Sequence, residues 1–317
     1  MASKRKIIMD CDPGIDDAFA IALAAANKDS LELIGITTVA GNLPVEVTTE
    51  NALRLTDFFG LKEVPVASGA ARPLVREPLT ASDVHGANGL GGVEIPTTDK
   101  KVVSDNAVLF MKQLIDALPE GEKVTLVPTG PFTNVALLLR VFPEVKERIE
   151  EIVLMGGAAL GGNITQSAEF NVYEDPESAE IVFTSGLPIV MCGLDATEKS
   201  GLPREDAQML ADSEGPIAAA LGKMLKFYFN CDSNKDMDIA RIHDASTFMY
   251  MLHPEIYTGQ KMPVRVDCSD GFNRGQTVCD PRKWSYTSEP TTTVLMDTDY
   301  PQFRKYLREA LLTLDQK

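Results

Sequence analysis

The sequence has few of the residues that build disulfide frameworks, zinc sites or membrane spans. Its 317 residues include only five cysteines, an odd and widely spaced set without a C-x-x-C pair. This spacing excludes a disulfide scaffold and a cysteine zinc site, and it favours a reducing compartment. No stretch approaches the roughly 18 apolar residues of a membrane span, and the apolar run after the basic start MASKRK is too short for a signal peptide. We therefore expect a cytoplasmic protein that does not enter a membrane.

Basic residues are also in deficit. Lysine and arginine number 30 against 46 aspartates and glutamates, so the formal charge is -16. A nucleic-acid-binding protein would be expected to carry a basic stripe, and the sequence contains none, so we expect no nucleic-acid partner. The acidic excess is typical of a soluble globular protein. The other interpretation is a carboxylate-rich site that needs a cation.

Apolar strand-like segments alternate with helical segments over residues 1–195. The predicted strands after the first one, KIIM, are 31–39, 64–68, 123–130, 149–157 and 187–195. This alternation predicts an α/β fold with a doubly wound, mainly parallel, Rossmann-like sheet. Residues 196–317 differ, with helical patterns at 203–230 and 243–253, a strand pair in MPVRVDCSD and GQTVCD, and a closing helix in YPQFRKYLREALLTL. Because no polar linker divides the chain, we predict one domain, 1–317, whose C-terminal additions complete the site.

Four aspartates fall within eight residues, directly after the first predicted strand, in KIIMDCDPGIDDAFAIAL. They are Asp10, Asp12, Asp16 and Asp17. In an open α/β sheet, ligands bind outside the carboxyl ends of the strands. Carboxylates this close repel one another unless they share a cation, and hard oxygen ligands favour Ca²⁺ or Mg²⁺. The alternative for Asp16 or Asp17 alone is that it only caps the following helix, where the dipole stabilises negative charge.

Other cation and phosphate motifs fail on spacing. An EF-hand loop beginning at Asp10 would need an acid or amide at its fifth position and a glutamate at its twelfth, and these are Gly14 and Ile21. A haloacid-dehalogenase-type phosphatase expects threonine or valine where Gly14 stands. There is also no P-loop and no G-x-S-x-G.

DCDPGIDDA resembles the signature of the nucleoside hydrolases, the inosine–uridine-preferring N-ribohydrolase family. The resemblance extends over nearly the whole chain through TTVAGN, VHGANGLGG, LVPTGPFTNVALLL, IVLMGGA, AEFNVYEDPESAEIVF and IHDASTFMYMLHPE, in this order. It implies Ca²⁺-dependent hydrolysis of the N-glycosidic bond of a ribonucleoside, which releases ribose and the free base. It also implies a role in nucleoside salvage and a homodimer or homotetramer.

The resemblance implies three groups of site residues. The Ca²⁺ ligands would be Asp12, Asp17, the backbone carbonyl of Thr129, and Asp244. The ribose would be held by Asp16, Asn42, Asn163, Glu169, Asn171 and Asp244, with Met155 against the sugar. Asp12 would also be the general base for the attacking water, and Asp10 would support the cluster. His85 and His243 would flank the base, and His243 would protonate it, since an unperturbed imidazole titrates near neutral pH.

Several of these residues have a simpler structural interpretation when taken alone. His243 and Asp244 could begin a helix, and His85 could be exposed in a glycine-rich loop. Two other functions also stay open at this point. One is a Mg²⁺-dependent phosphohydrolase on an α/β core, and the other is a nucleoside- or pentose-binding protein without catalysis.

The sequence departs from the family at two positions that bear on the base. Members that tolerate many bases carry tyrosines about twelve and sixteen residues before the catalytic histidine, where this chain has Cys231 and Phe227. Tyr228 is adjacent, but one residue along a helix changes the side-chain direction by about 100°. We therefore expect no tyrosine to act as a second donor to the base, and the base preference is left open.

Overall fold

The computed structural model describes residues 4–231 and 234–316, so the first residues of the basic start lie outside it. The elements of the first part are β1 (Arg5–Cys11), α1 (Ile15–Ala26), β2 (Leu31–Thr38), α2 (Val45–Phe58), β3 (Val66–Ala67), α3 (Ser82–His85), α4 (Ala107–Asp116), β4 (Val124–Pro128), α5 (Thr133–Val141), β5 (Ile149–Met155), α6 (Phe170–Glu174), α7 (Pro176–Phe183), β6 (Ile189–Cys192) and α8 (Leu194–Thr197). This succession of strands and helices agrees with the pattern predicted for residues 1–195.

The second part of the chain contributes further strands and helices. They are β7 (Gly201–Pro203), α9 (Arg204–Ala211), α10 (Pro216–Tyr228), β8 (Ile239–Arg241), α11 (Ala245–Leu252), β9 (Tyr257–Lys261), β10 (Val264–Val266), β11 (Thr277–Cys279), β12 (Thr292–Thr298) and α12 (Tyr300–Leu314). Short 3₁₀ helices span Pro143–Arg148, Pro254–Ile256 and Lys283–Ser285. None of the described helices combines the length and apolar composition that crossing a membrane requires.

The main sheet has the order β3-β2-β1-β4-β5-β6-β12-β9. All neighbouring pairs are parallel except β12 and β9. The strand order reverses at β1, which lies between β2 and β4. The predicted doubly wound, mainly parallel fold is therefore confirmed, and a ligand crevice is expected where β1 and β4 end side by side.

Helices cover both faces of this sheet, which explains why its central strands are apolar throughout. In β1, Ile7 and Met9 face one hydrophobic cluster, which includes residues of α1, α10 and α12. Ile8 faces the other cluster, which includes residues of α4, α5 and α7. Successive side chains of a strand point to opposite faces, so both layers hold the end of β1 in place.

The sheet continues past residue 195, which the sequence did not predict. β12 pairs in parallel with β6, with Thr293 opposite Val190, and β9 pairs antiparallel with β12. β9 is an edge strand with a mostly exposed, polar sequence, YTGQK, so it lacks the alternation that identifies a strand. The predicted strand pair is present as the antiparallel β10 and β11, with Val264 opposite Cys279.

Candidate active site at the carboxyl ends of β1 and β4

A cavity of about 410 Å³ opens beside the carboxyl ends of the central strands. We divide its lining by what the resemblance implies into the residues expected at the sugar, Asp16, Asn42, Thr129, Met155, Asn163, Glu169, Asn171 and Asp244, and the two histidines with the lining residues near them, His85, Glu198, Tyr228, Arg241 and His243. We call these the ribose end and the base end. Asp244, which begins α11, meets α1 from the far part of the chain. Most of the residues implied by the resemblance therefore share one cavity.

Asp12 lies beneath the ribose end and is fully buried. Its Oδ2 accepts a hydrogen bond from the backbone N–H of Asn42 at 2.6 Å, whereas Oδ1 has no partner among the described residues. Glycines make room for this carboxylate, since a Cβ at Gly41 or Gly130 would lie 2.1 Å or 2.6 Å from its oxygens. A buried oxygen without a partner is costly unless a ligand or ion satisfies it.

Asp17 both caps a helix and belongs to the acidic cluster. Its Oδ2 accepts from the N–H of Gly14 at 3.0 Å, and its Oδ1 accepts from the hydroxyl of Thr129 at 2.8 Å. Oxygens of Asp16, Asp17 and Asp244 lie within 4.8 Å of one another, and Oδ1 of Asp16 has no partner in the described structure. Helix capping therefore accounts for Oδ2 of Asp17, and Oδ1 belongs to the acidic cluster.

Burial and mutual repulsion govern the electrostatics of this cluster. Burial raises the pKa of Asp16 and of Asp17 to about 6, and the charge of Asp16 adds to the effect on Asp17. Burial, followed by the neighbouring carboxylates, raises the pKa of Asp12 and Asp244 well above the usual range. Together with the unpartnered oxygens, this donor set fits a hard divalent cation. The three mutually close carboxylates include Asp16, which the resemblance assigns to the ribose, and do not include Asp12.

Backbone and amide groups organise the rest of the ribose end. Glu169 caps α6 and accepts from the N–H groups of Gly157, Asn171 and Val172, and burial raises its pKa to about 7. The side-chain amide of Asn171 donates to the carbonyl of Thr129 at 2.7 Å, which still leaves that oxygen a second lone pair.

Two further residues predicted for this region have clear structural partners. Asn163 accepts from the N–H of Phe170 at 2.9 Å and lines the cavity. Asp10 does not line the cavity: its Oδ1 accepts from Thr37 at 2.6 Å and from Asn134 at 2.8 Å. These bonds tie the end of β1 to β2 and α5, which agrees with a supporting position.

The two histidines at the base end are held by specific partners. Nδ1 of His85 accepts from the N–H of Ile15 at 3.0 Å, so its neutral ring carries the proton on Nε2. Nδ1 of His243 lies 2.8 Å from the hydroxyl of Thr197. Burial lowers the pKa of His85 to about 4, and burial with the charge of Arg241 lowers that of His243 to about 3. The interpretation of His85 as an exposed loop residue is wrong, because it is 6% exposed.

Tyr228 does face the cavity, although the one-residue shift along the helix predicted another direction, and its role as a donor to the base stays a prediction. Tyr228 is buried and lines the cavity, whereas Phe227 packs against the loop after His85, where a Cβ on Gly91 would lie 2.8 Å from Phe227. The thiol of Cys231 donates to the carbonyl of Val84 at 3.3 Å. Of these three residues near the end of α10, Tyr228 is therefore the one that lines the cavity.

Arg241 and Glu198 also line the base end, and sequence reasoning did not select them. Their side chains form an ion pair, with Nη1 of Arg241 3.4 Å from Oε1 of Glu198. A sequence signal for Arg241 was present: ARIH, residues 240–243, alternates apolar and polar residues, which predicts that Arg241 and His243 share one face. The partner Glu198 comes from a distant segment and had no local signal.

Comparison with known proteins identifies the family that has this fold and this cavity. The family model of the inosine-uridine preferring nucleoside hydrolases matches residues 7–305, and the chain belongs to this family. It is therefore a ribonucleoside hydrolase, an enzyme that acts on N-glycosidic bonds.

Individual relatives match almost from end to end. The pyrimidine-specific ribonucleoside hydrolase RihA of Photobacterium profundum is 41% identical over 310 residues, 97% of this chain and 98% of the relative. RihA of Shewanella woodyi is 41% identical over 312 residues, 98% of each. A solved structure, the purine-preferring ribonucleoside hydrolase from Gardnerella vaginalis, superimposes with a TM-score of 0.91 at 32% identity, covering 98% of this chain and 99% of that one.

Proposed function

We propose that this enzyme is a Ca²⁺-dependent hydrolase that prefers pyrimidine ribonucleosides. The observation that carries the proposal is the buried carboxylate cluster at the cavity, in which Oδ1 of Asp12 and Oδ1 of Asp16 have no partner among the described residues and Asp16 lines the cavity. The pyrimidine preference is supported by the 41% identical relatives named for that specificity. We further propose a cytoplasmic homodimer or homotetramer that works in nucleoside salvage.

The ion would be held by Asp12, Asp17, the carbonyl of Thr129 and Asp244, with Asp16 close enough to assist. When bound, Ca²⁺ would chelate the ribose diol and make the attacking water more acidic. Each of these ligands is an oxygen, which is the donor type that this cation prefers.

The side chains of the ribose end would bind and orient the sugar. Asp16, Asn42, Asn163, Glu169 and Asn171 offer carboxylates and amides to its hydroxyl groups, with Met155 against the ring. Cleavage of a glycosidic bond passes through a state in which the sugar carries positive charge. Fixed carboxylates beside the anomeric carbon stabilise that charge without reorganising during the reaction.

Asp12 would accept the proton of the attacking water. Its Oδ2 is fixed by the N–H of Asn42 at 2.6 Å, so Oδ1 is the free oxygen that can receive the proton. At the base end, Nε2–H of His243 would donate a hydrogen bond to a departing base, because its Nδ1 is engaged with Thr197 at 2.8 Å.

The decisive assay measures ribose release from uridine, cytidine and inosine, with p-nitrophenyl phosphate as a phosphohydrolase substrate. We expect ribose from the pyrimidine nucleosides and no phosphate release. EGTA should abolish the activity, and Ca²⁺ should restore it better than Zn²⁺. A protein that binds uridine without releasing ribose would overturn the proposed catalysis, and full activity after rigorous metal removal would overturn the Ca²⁺ requirement.

A further inference from the structure

Arg241 shares one face of a short extended segment with His243. From Ile239 to His243 the residues alternate between half-buried and buried, with Ala240 and Ile242 turned into the core. Successive side chains of an extended chain point to opposite faces. Both Arg241 and His243 accordingly line the base end of the cavity.

A second segment supports this face at two successive points. The hydroxyl of Thr197 lies 2.8 Å from Nδ1 of His243, and Oε1 of the next residue, Glu198, lies 3.4 Å from Nη1 of Arg241. The close approach of the strands requires Gly201, where a Cβ would lie 2.1 Å from the carbonyl of Ala240. Successive residues of one segment thus contact both Arg241 and His243.

The contact with Glu198 leaves donors of Arg241 available. At 3.4 Å it is longer than an ordinary N–H···O hydrogen bond of about 2.7–3.2 Å, and the side chains of Arg241 and Glu198 are 30% and 43% exposed. A half-exposed pair of this kind is weak and exchanges partners readily. A substrate group that enters the base end can therefore accept a hydrogen bond from the guanidinium.

Arg241 is the one arginine or lysine among the described residues that line this cavity. Its other charged lining residues within the described chain are acidic, namely Asp16, Asp83, Glu169, Glu198 and Asp244. Nδ1 of His85 accepts from the N–H of Ile15 at 3.0 Å, and Nδ1 of His243 lies 2.8 Å from the hydroxyl of Thr197, so neither histidine has a carboxylate partner at these atoms. The guanidinium of Arg241 is therefore the permanent positive charge that can stabilise negative charge on a departing base.

We propose that Arg241 stabilises the departing base as an anion and makes the enzyme prefer bases whose carbonyl oxygens carry that charge, uracil before cytosine. The inference rests on the proposed function. As the C1′–N1 bond breaks, both electrons pass to the base and spread onto its carbonyl oxygens, which accept from the guanidinium. The water oxygen bonds to C1′ and Asp12 takes its proton, which later neutralises the base.

The preference for uracil follows from what each pyrimidine offers to a guanidinium, which only donates hydrogen bonds. Uracil has two carbonyl oxygens and accepts at either. Cytosine replaces one carbonyl with an amino group, which is itself a donor and cannot pair with Arg241. The charge of its anion is also spread over one fewer oxygen. The guanidinium therefore distinguishes the two leaving groups.

The test compares R241Q and R241K with R5Q, a matched control. Arg5 is also partly exposed and paired with a glutamate, at 2.9 Å from Glu151. It lies at the amino end of β1, whereas the cavity lies beside the carboxyl ends of the strands. kcat and KM are measured for uridine, cytidine, 5-fluorouridine and p-nitrophenyl riboside. The fluorine and the nitrophenyl group stabilise the leaving anion by themselves, so these substrates need Arg241 less.

We expect R241Q to lower kcat for uridine at least about 10-fold, below the usual cost of losing an oxyanion donor because the site is half-exposed. The loss should shrink stepwise for 5-fluorouridine and p-nitrophenyl riboside, and the preference for uridine over cytidine should narrow. R241K should recover part of the rate, and R5Q should match wild type. An equal loss on all substrates, or none, overturns the inference. Wild-type enzyme that hydrolyses no nucleoside refutes the proposed function instead.

Discussion

The two ends of the cavity are built in different ways. The ribose end consists of buried carboxylates and amides fixed by backbone groups at the ends of the central strands, as Asp12 is by the N–H of Asn42. The base end combines the buried His85 and Tyr228 with a half-buried pair on short segments, Arg241 and Glu198. Under the proposed function, the ribose end would bind the part common to every ribonucleoside, and the base end could change without disturbing the sheet.

The difference also concerns charge. At the ribose end, burial raises the pKa of Asp16 and Asp17 to about 6, so protons and cations compete there just below neutral pH. At the base end, burial lowers the pKa of His85 to about 4, so this ring stays neutral over the same range. Under the proposed function, the ribose end would respond to pH and metal, and the base end to the identity of the leaving group.

The largest effect is expected from Asp12→Asn at the ribose end. The amide keeps the shape of the carboxylate and cannot take a proton from water, so kcat should fall by about 10²–10⁴-fold for every nucleoside. Asp10→Asn is the matched control, because Asp10 lies outside the cavity and its Oδ1 only accepts from Thr37 and Asn134. It should retain most of the activity. A near-normal kcat in the Asp12 variant would mean that another group activates the water.

The ribose end was largely predictable from sequence because its signals are local. The aspartates follow an apolar strand and open a helix, and that pattern alone predicts carboxylates at the edge of a parallel sheet. The Ca²⁺ ligand set and the ribose contacts came from the resemblance, and they stay predictions.

The base end was less predictable because its geometry depends on non-local packing. The direction of Tyr228 is set by how Phe227 packs near Gly86 and Gly91, which no helical period reveals. Similarly, β12 has its place in the sheet only through pairing with β6 and β9. Segments that are distant in the chain decide both features.

The next effect in size concerns Ca²⁺ affinity and pH. A carboxyl with a raised pKa is protonated below that value, so binding is strong above about pH 6 and lost as pH falls. Since two such groups take up protons, Kd should rise roughly 10–100-fold from pH 7 to pH 5. Calorimetric titration would measure it, with circular dichroism as the check that the fold persists at pH 5. Equal affinity at both values would mean that the ion binds away from this cluster.

A smaller, substrate-dependent effect is expected from His243→Ala. A purine such as hypoxanthine can accept a hydrogen bond from His243 at N7, whereas uracil leaves more readily as an anion, so kcat for inosine should fall more than for uridine. The loss for inosine should be about 10-fold or more, and p-nitrophenyl riboside, which needs no acid, should be nearly unaffected. His253→Ala is the control, because that ring stacks on Tyr306 outside the cavity. If p-nitrophenyl riboside falls as far as inosine, His243 positions the ribose or Asp244 instead.

The smallest effect is expected from Tyr228→Phe. Burial raises the pKa of this phenol, so it stays protonated and can donate a hydrogen bond to the base without transferring a proton. Losing one neutral hydrogen bond costs about 0.5–1.5 kcal/mol, which corresponds to a rise in KM of roughly 2- to 10-fold with little change in kcat. Tyr250→Phe is the matched control, since Tyr250 packs near Tyr257 away from the cavity. An unchanged KM for every nucleoside would mean that the hydroxyl of Tyr228 does not reach the base, and that the base end has no tyrosine donor.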